Sequence, residues 1–286
     1  MRPDPLRTVL DALDLEQTDT DTFTGPNLTQ PGGRVFGGQV LAQSLLAAAR
    51  TVGADRPPHS VHGYFLRAGD VDAPITFVVE RMRDGRSFTA RRTHALQNGA
   101  PILAMTASFQ ERQPGLEHTD SPPTSAPPPE SVPSAVDVLG AVAHPVAEFW
   151  TQTNAFDLRH VEESIYLDPP AVATDRQMAW MRARGPVPDD QVLHRALLAY
   201  ACDQVMLEPL LRRHGLSWAT EGLSIASLDH AMWWHRDVAV DQWLLYVQSA
   251  PTSQGGRGLG AARVYDTDGN LVATIAQEGM LRVPGV

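Results

Sequence analysis

The chain carries two unequal copies of one pattern, which commits it to two similar halves packed together. In the first copy Phe36-Gly-Gly-Gln-Val-Leu-Ala-Gln reads as a helix, and Tyr200-Ala-Cys-Asp-Gln-Val-Met-Leu stands at the matching place in the second. An aromatic strand with a histidine follows each, His62-Gly-Tyr-Phe-Leu and His230-Ala-Met-Trp-Trp. Each copy closes on a turn and an apolar strand. These are Asn98-Gly-Ala-Pro-Ile-Leu-Ala-Met-Thr-Ala-Ser and Asp268-Gly-Asn-Leu-Val-Ala-Thr-Ile-Ala-Gln-Glu, with Gly99 and Gly269 separated by 170 positions. Where the copies agree they report fold. Where they differ, Gln39 against Asp203 and Ala107 against Gln277, chemistry is expected to have settled on one side.

Hydrophobic spacing fills in the elements. Leu6, Val9, Leu10 and Leu13 predict a short leading helix, and the polar stretch Thr18 to Gly33 a strand flanked by loops. From Phe36 to Ala49 the apolar and small residues predict a helix in close contact on several sides. Strands are expected at His62–Leu66, Ile75–Met82, Ser87–Gln97 and Pro101–Gln110, with Asp84-Gly85 and Asn98-Gly99 as hairpin signals. Gln113 to Ser134 is too rich in proline for helix or central strand and reads as an extended connector. Beyond it, strands are expected at Phe156–Glu162 and Arg176–Arg182, then one helix from Asp189 to Arg213. Further strands fall at Leu223–Trp234, Trp243–Ser249, Gly260–Asp266 and Leu271–Arg282. A helix followed by an antiparallel meander makes each half α+β rather than a doubly wound parallel sheet. The expected division is an N-terminal unit over 1–112, a linker over 113–136 and a C-terminal unit over 137–286.

The formal charge of −10 argues against a nucleic-acid partner that would be bound through its phosphates. All 23 basic residues are arginine, which reads as codon bias, although arginine also suits phosphate and carboxylate recognition. No apolar run approaches the roughly 18 residues of a membrane span, and Met1-Arg-Pro-Asp-Pro-Leu lacks the apolar stretch of a secretory signal. A single cysteine, Cys202, excludes an intramolecular disulfide and suits a reducing cytosol. The final Arg-Val-Pro-Gly-Val is not a peroxisomal address, so the cytoplasm is the default expectation.

Asp203 is the foremost candidate for chemistry. Ala199, Tyr200, Met206 and Leu207, three and four residues to either side on the expected helix, put its carboxylate on a face that should be buried. Such a group is either tied up by an arginine or backbone donors, or serves as a general base or water-positioning group. Gln277 shares a strand face with Leu271, Ala273, Ile275 and Gly279, and a buried amide needs partners too. Ser227 lies on a face with Leu223 and Ile225, where a serine often bonds only to backbone. Cys202, flanked by apolar residues, reads as packing. His230 and His235 are five apart on an expected strand, so they face opposite sides and are not a metal pair. Gly255-Gly-Arg-Gly-Leu-Gly does not fit a dinucleotide fingerprint and reads as a flexible loop. Arg257 and Gly258 within it, and His62 and Tyr64 on the first aromatic strand, are candidate substrate-binding residues, Arg257 for a phosphate.

Five segments in order carry a resemblance. They are Gly32-Gly-Arg-Val-Phe-Gly-Gly-Gln-Val-Leu-Ala-Gln, His62-Gly-Tyr-Phe-Leu-Arg-Ala-Gly-Asp, Asp84-Gly-Arg-Ser-Phe, Leu228-Asp-His-Ala-Met-Trp-Trp-His-Arg and Ala276-Gln-Glu-Gly-Met-Leu-Arg. From about residue 20 onward the chain resembles the acyl-CoA thioesterase II (TesB-like) family. The resemblance implies a double hotdog, two long central helices each wrapped by an antiparallel sheet, with the sheets joined side by side. It implies hydrolysis of fatty acyl-CoA to free acid and CoA, with no metal and no organic cofactor. It also implies that an aspartate, a hydroxyl residue and a glutamine, here Asp203, Ser227 and Gln277, jointly orient a water. The family commonly has threonine where Ser227 stands, so the rotamer-fixing methyl is missing and a modest loss of rate is expected.

The expected reaction is attack of a water, deprotonated by Asp203, on the thioester carbonyl, with backbone N–H groups receiving the oxyanion. A covalent route through Asp203 stays open. Since Gln39 and Ala107 replace the acid and the amide, one active site per chain is expected, the first half serving as packing partner and part of an acyl tunnel. Rival readings on the same fold are a non-catalytic acyl-CoA binding protein and a hotdog enoyl-CoA hydratase. The hydratase pairs its aspartate with a nearby histidine, and none follows Asp203 before His214. Unpaired sheet edges at the ends point to a homo-oligomer.

Overall fold

The computed structural model describes residues 4–28, 33–283 and 285. Thr29 to Gly32, part of the polar stretch and the start of the first family segment, lie outside the described residues, as do residues 1–3, 284 and 286. Helix α1 (Pro5–Leu13) is capped by Asp4, whose carboxylate accepts the Leu6 N–H at 3.0 Å, and Pro5 presets its first turn. The single strand expected next is a hairpin, β1 (Glu16–Asp19) and β2 (Thr22–Gly25), turned at Asp21 with φ +53°, a conformation aspartate tolerates.

Helix α2 (Gly37–Ala49) is buried from Gly38 to Ala48, polar residues included. Its amides serve the segment before it: Gln39 Oε1 accepts the Leu28 N–H at 3.0 Å, and Gln43 Nε2 donates to the carbonyls of Ala12 and Pro26 at 2.8 and 2.9 Å. The meander follows as β3 (Pro58–Phe65), β4 (Ile75–Asp84), β5 (Phe88–Gln97) and β6 (Ala100–Gln110). Asn98 and Gly99 both have positive φ, +50° and +76°, as a type I′ turn requires. Residues 111–128 hold neither helix nor strand and lie on the second half through an Arg112–Asp237 ion pair at 2.8 Å and a Trp180 Nε1–H to Pro127 carbonyl bond at 2.9 Å.

Two short helices, α3 (Ala135–Leu139) and α4 (Pro145–Glu148), lead into β7 (Phe156–His160) and β8 (Arg176–Ala183). The single helix expected over Asp189–Arg213 is two, α5 (Gln191–Cys202) and α6 (Glu208–Arg213), parted by turns at 203–207. Pro209 explains the break, since it has no N–H to give and its ring clashes with the carbonyl four residues earlier. That carbonyl, Val205, instead accepts from Gln248 Nε2 at 2.9 Å.

The strand expected over Leu223–Trp234 is also two, β9 (Ser224–Ser227) and β10 (Asp229–Trp234). The final strands are β11 (Leu244–Gln254), β12 (Arg257–Tyr265) and β13 (Leu271–Arg282). β13 pairs through Ala273–Ala276 with β10 and through Gly279–Arg282 with β9, so the partner changes beside Gln277. The glycine-rich stretch is no loose loop: Gly255 and Gly256, φ +59° and +73°, make a tight turn, and β12 begins at Arg257.

Among the described residues thirteen strands form one antiparallel sheet whose main path is β1-β2-β4-β5-β6-β3-β10-β13-β12-β11-β8-β7, the halves meeting at β3 and β10. α2 and α5 pack against each other inside it, Leu41, Leu45, Leu197 and Leu198 being fully buried. Two of the matches between copies slip by geometry. His230 stands opposite Gly63 and His62 opposite Ala231, so the two histidines lie on opposite faces of the sheet. Gln39 sits in the first turn of α2, whereas Asp203 follows the last turn of α5, the place Arg50 holds after α2. Ala107 and Gln277 do correspond, both fully buried on the strand next to the junction strand.

Candidate active site

Asp203 caps the end of α5, and the turn behind it is pressed unusually close to the sheet. A Cβ on Gly260 of β12 would stand 2.1 Å from the Met206 carbonyl oxygen, so only glycine admits the turn there. Gly260 is paired with Gln277, which brings that amide to the aspartate. We expect Gly260→Ala to push the turn outward, at a cost of about 1–3 kcal/mol, and to depress turnover well beyond what the lost stability explains. Thermal melts beside kinetics check this; native-like kinetics would show that the close approach is dispensable.

Three side chains converge. Asp203 Oδ1 accepts from Ser227 Oγ at 3.0 Å and from Gln277 Nε2 at 2.7 Å, and Gln277 Nε2 also donates to Ser227 Oγ at 2.7 Å. Asp203 Oδ2 accepts the backbone N–H of Gly38 at 2.7 Å. That N–H belongs to the first turn of α2, whose N-cap Phe36 has no capping side chain, so a carboxylate from the other half caps the helix and meets the positive end of its dipole. A Cβ on Gly37 would come within 2.9 Å of the same oxygen.

Because the Asp203 carboxylate only accepts, the Gln277 amide must turn its NH₂ toward it and its Oε1 away. Oε1 then accepts from His230 Nδ1 at 2.8 Å, which fixes the histidine as the Nδ1–H tautomer. Burial holds the His230 imidazole below its ordinary range, against the pull of Asp203, which keeps it neutral. Its Nε2 faces Cys202 Sγ at 3.5 Å. Burial, and next the Asp203 charge, push the Cys202 thiol well up, so it packs as a neutral thiol. Sequence reasoning missed His230 as the support of Gln277; the signal was its one-in-two alternation with buried Met232 and Trp234. His235, by contrast, is exposed on the opposite face. Leu271 leaves the face expected for Gln277, because β13 is bulged near its start.

Asp203 and Ser227 open on a cleft of about 470 Å³. The N-terminal half contributes Arg34, Phe36, Phe65 and Arg67 to it, and the C-terminal half Leu207, Trp218 and Ile225. Trp218 escaped the sequence reading; its Nε1–H is pinned on Glu208 Oε1 at 2.8 Å. The four candidate substrate-binding residues do not line this cleft. Arg257 is paired with Glu278 at 3.1 Å, and Gly258 lies under the Leu210 side chain. Tyr64 is 64% exposed on the outer face of the sheet, where His62 meets Trp233 edge to face. Among the described residues no cluster of three or more His, Cys, Asp or Glu side chains could hold a metal ion.

Known proteins share both the chain and its architecture. Family profiles described as acyl-CoA thioesterase and as acyl-CoA thioesterase N-terminal domain match residues 167–280 and 26–110. Acyl-coenzyme A thioesterase 8 of Homo sapiens is 38% identical over 98% of this chain and 91% of its own length. Acyl-CoA thioesterase 2 of Haemophilus influenzae is 34% identical over 98% of both. The crystal structure of an acyl-CoA thioesterase II, TesB2, from Mycobacterium marinum superposes with a TM-score of 0.81 at 42% identity, covering 97% of this chain and 99% of that one. An Alicyclobacillus acidocaldarius protein described as having a hot dog fold superposes at 0.80 with 23% identity, over 97% of this chain and 98% of its own, a likeness of fold alone. With identity of this order running through both halves and the junction between them, the chain belongs to the acyl-CoA thioesterase family and has a hotdog fold.

Proposed function

We propose that the protein hydrolyses acyl-CoA to a free acid and CoA, with Asp203 as general base and Ser227 and Gln277 as the groups that position the carboxylate and its water. The observation that carries this is the convergence of a hydroxyl and an amide on one oxygen of a carboxylate that opens on the cleft. A water seated against Asp203 gives its proton to the carboxylate as its oxygen attacks the thioester carbonyl. The tetrahedral oxyanion draws on the Gly37 N–H and the positive end of α2, which meets the cleft there, the Gly38 N–H being given to Asp203. Collapse breaks the C–S bond, and the departing thiolate recovers the proton from Asp203.

The arrangement is a double hotdog: α2 and α5 as central helices, each with its own part of the sheet, joined side by side at β3 and β10. Residues 1–112 and 137–286 are its two units and 113–136 the linker. One site per chain follows, since Arg50 and Ala107 hold the places of Asp203 and Gln277 in the first unit. Self-association would use the strand edges that β1 and β7 leave at the ends of the sheet. The hydratase reading asks for a histidine beside the aspartate; His230 instead reaches Gln277 from behind, fully buried.

Release of free thiol from acyl-CoA esters of graded chain length tests the proposal, with Ser227→Ala and Ser227→Thr alongside. Wild type is expected to release thiol in a chain-length-dependent manner. Ser227→Ala, which removes one donor from Asp203 and one acceptor from Gln277, should cost about tenfold in kcat. Ser227→Thr should match or exceed wild type, because the added methyl restricts the rotamer. No release at any length would defeat the thioesterase reading in favour of an acyl-CoA binder.

A further inference from the structure

We propose that Arg34 and Arg67 bind the phosphates of the CoA portion, so that the N-terminal half recognises the substrate which the C-terminal half cleaves. This rests on acyl-CoA being the substrate. The proposed reacting groups Asp203 and Ser227 come from the C-terminal half, whereas both cations that line the cleft come from the N-terminal half. Among the described residues that line the cleft Asp203 is the only carboxylate, in a chain whose net charge is −10, so the N-terminal wall is cationic against the prevailing charge.

The two arginines sit on backbone segments that are tied together. Arg34 forms an isolated antiparallel bridge with Asp70, and the Val35 N–H donates to the Gly69 carbonyl at 3.0 Å, which brings the stretch before α2 alongside the one after β3. Arg67 Nη1 donates to the Pro101 carbonyl at 2.7 Å, a contact that steadies the guanidinium without neutralising it. The nearby Asp70 carboxylate is turned to the Asp72 N–H at 3.0 Å. Among the described residues neither Arg34 nor Arg67 has an ion-pair partner, in contrast to Arg50, Arg81 and Arg257. Charge with free fork-shaped donors at the mouth of a cleft is what a phosphate-bearing ligand requires. The C-terminal half gives the same cleft the apolar side chains of Leu207, Trp218 and Ile225, a surface suited to an acyl chain.

The test compares an acyl-CoA with the same acyl group on N-acetylcysteamine, a thioester without phosphates. The quantity read is the ratio of kcat/KM for the two esters, in wild type, Arg34→Ala, Arg67→Ala and the double variant, with CoA binding followed by calorimetry. The preference for the CoA ester should drop about tenfold per arginine, the lower end for a hydrogen bond to a charged group at an exposed site. It should also weaken in wild type as salt is raised. An unchanged ratio in the double variant, or equal losses on both esters, overturns the inference. If wild type cleaves neither ester, the thioesterase reading fails by itself, and CoA affinity decides the role of the arginines: loss in the double variant upholds it, and unchanged affinity refutes it.

Discussion

Asp203→Asn is expected to lower kcat by about 10²–10⁴-fold, the usual contribution of a positioned general base, with KM little changed. The substitution keeps shape and removes the capacity to take a proton. It also poses a local choice: Oδ1 of the asparagine can serve Ser227 and Gln277, but its NH₂ then faces the Gly38 N–H, donor to donor. Losing that one acceptor is less costly than losing the two on the other side, so the amide should settle this way and cost about 1 kcal/mol of stability. Near-UV and far-UV circular dichroism should therefore be native-like while thiol release collapses. Full activity in this variant would remove Asp203 from the role of base.

Glu208→Ala should be the most destabilising of the changes considered, by about 3–5 kcal/mol. Glu208 is fully buried at the start of α6 and accepts from His160 Nε2 at 2.7 Å, Gln177 Nε2 at 2.6 Å and Trp218 Nε1 at 2.8 Å. Arg212, buried close by, bonds to Gln177 and to the Glu163 carbonyl, so deleting the carboxylate takes an opposite charge away from a buried cation as well as leaving three donors without their acceptor. Burial pushes the Glu208 carboxyl up, but His160, together with the Trp218 and Gln177 donors, outweighs it and holds the group below its ordinary range. A depressed native pKa stabilises the fold above the unfolded value of about 4.3 and is lost as pH falls through the native one. Wild type should therefore lose stability on acidification below about pH 4.3, and the variant should lack that component. A melting temperature about 10 °C lower is expected at neutral pH. Activity should fall too, because Gln177 passes to Gln248, which holds the Val205 carbonyl two residues from Asp203. A melting temperature within a degree of wild type would show that the cluster does not hold the α5–α6 turn in place.

Sequence legibility was uneven for physical reasons. Strand alternation and the Asn98-Gly99 turn are short-range signals, and the meanders stand within a few residues of where they were expected. Helix continuity through 203–207 was misjudged because apolar spacing persists across the break, although Pro209 was there to be weighed. The matched histidines, and Gln39 set against Asp203, were aligned by composition; one residue of slip turns a strand side chain to the other face, and no local signal reports it. Arg257 is marked by its glycine-rich setting, while Arg34 and Arg67 lie in two of the family segments, where nothing local tells that both reach one cleft.

By itself, then, the sequence determined a chain of two α+β halves, with Asp203, Ser227 and Gln277 as polar residues on faces that should be buried, because periodicity and residue chemistry are local properties. Only the tertiary structure decided that these three meet, that Gly38 donates to the carboxylate from 165 residues away, and that His230 orients the amide from behind. Contacts between elements far apart in sequence depend on how the sheet closes around its helices, and that is set by packing of the whole core.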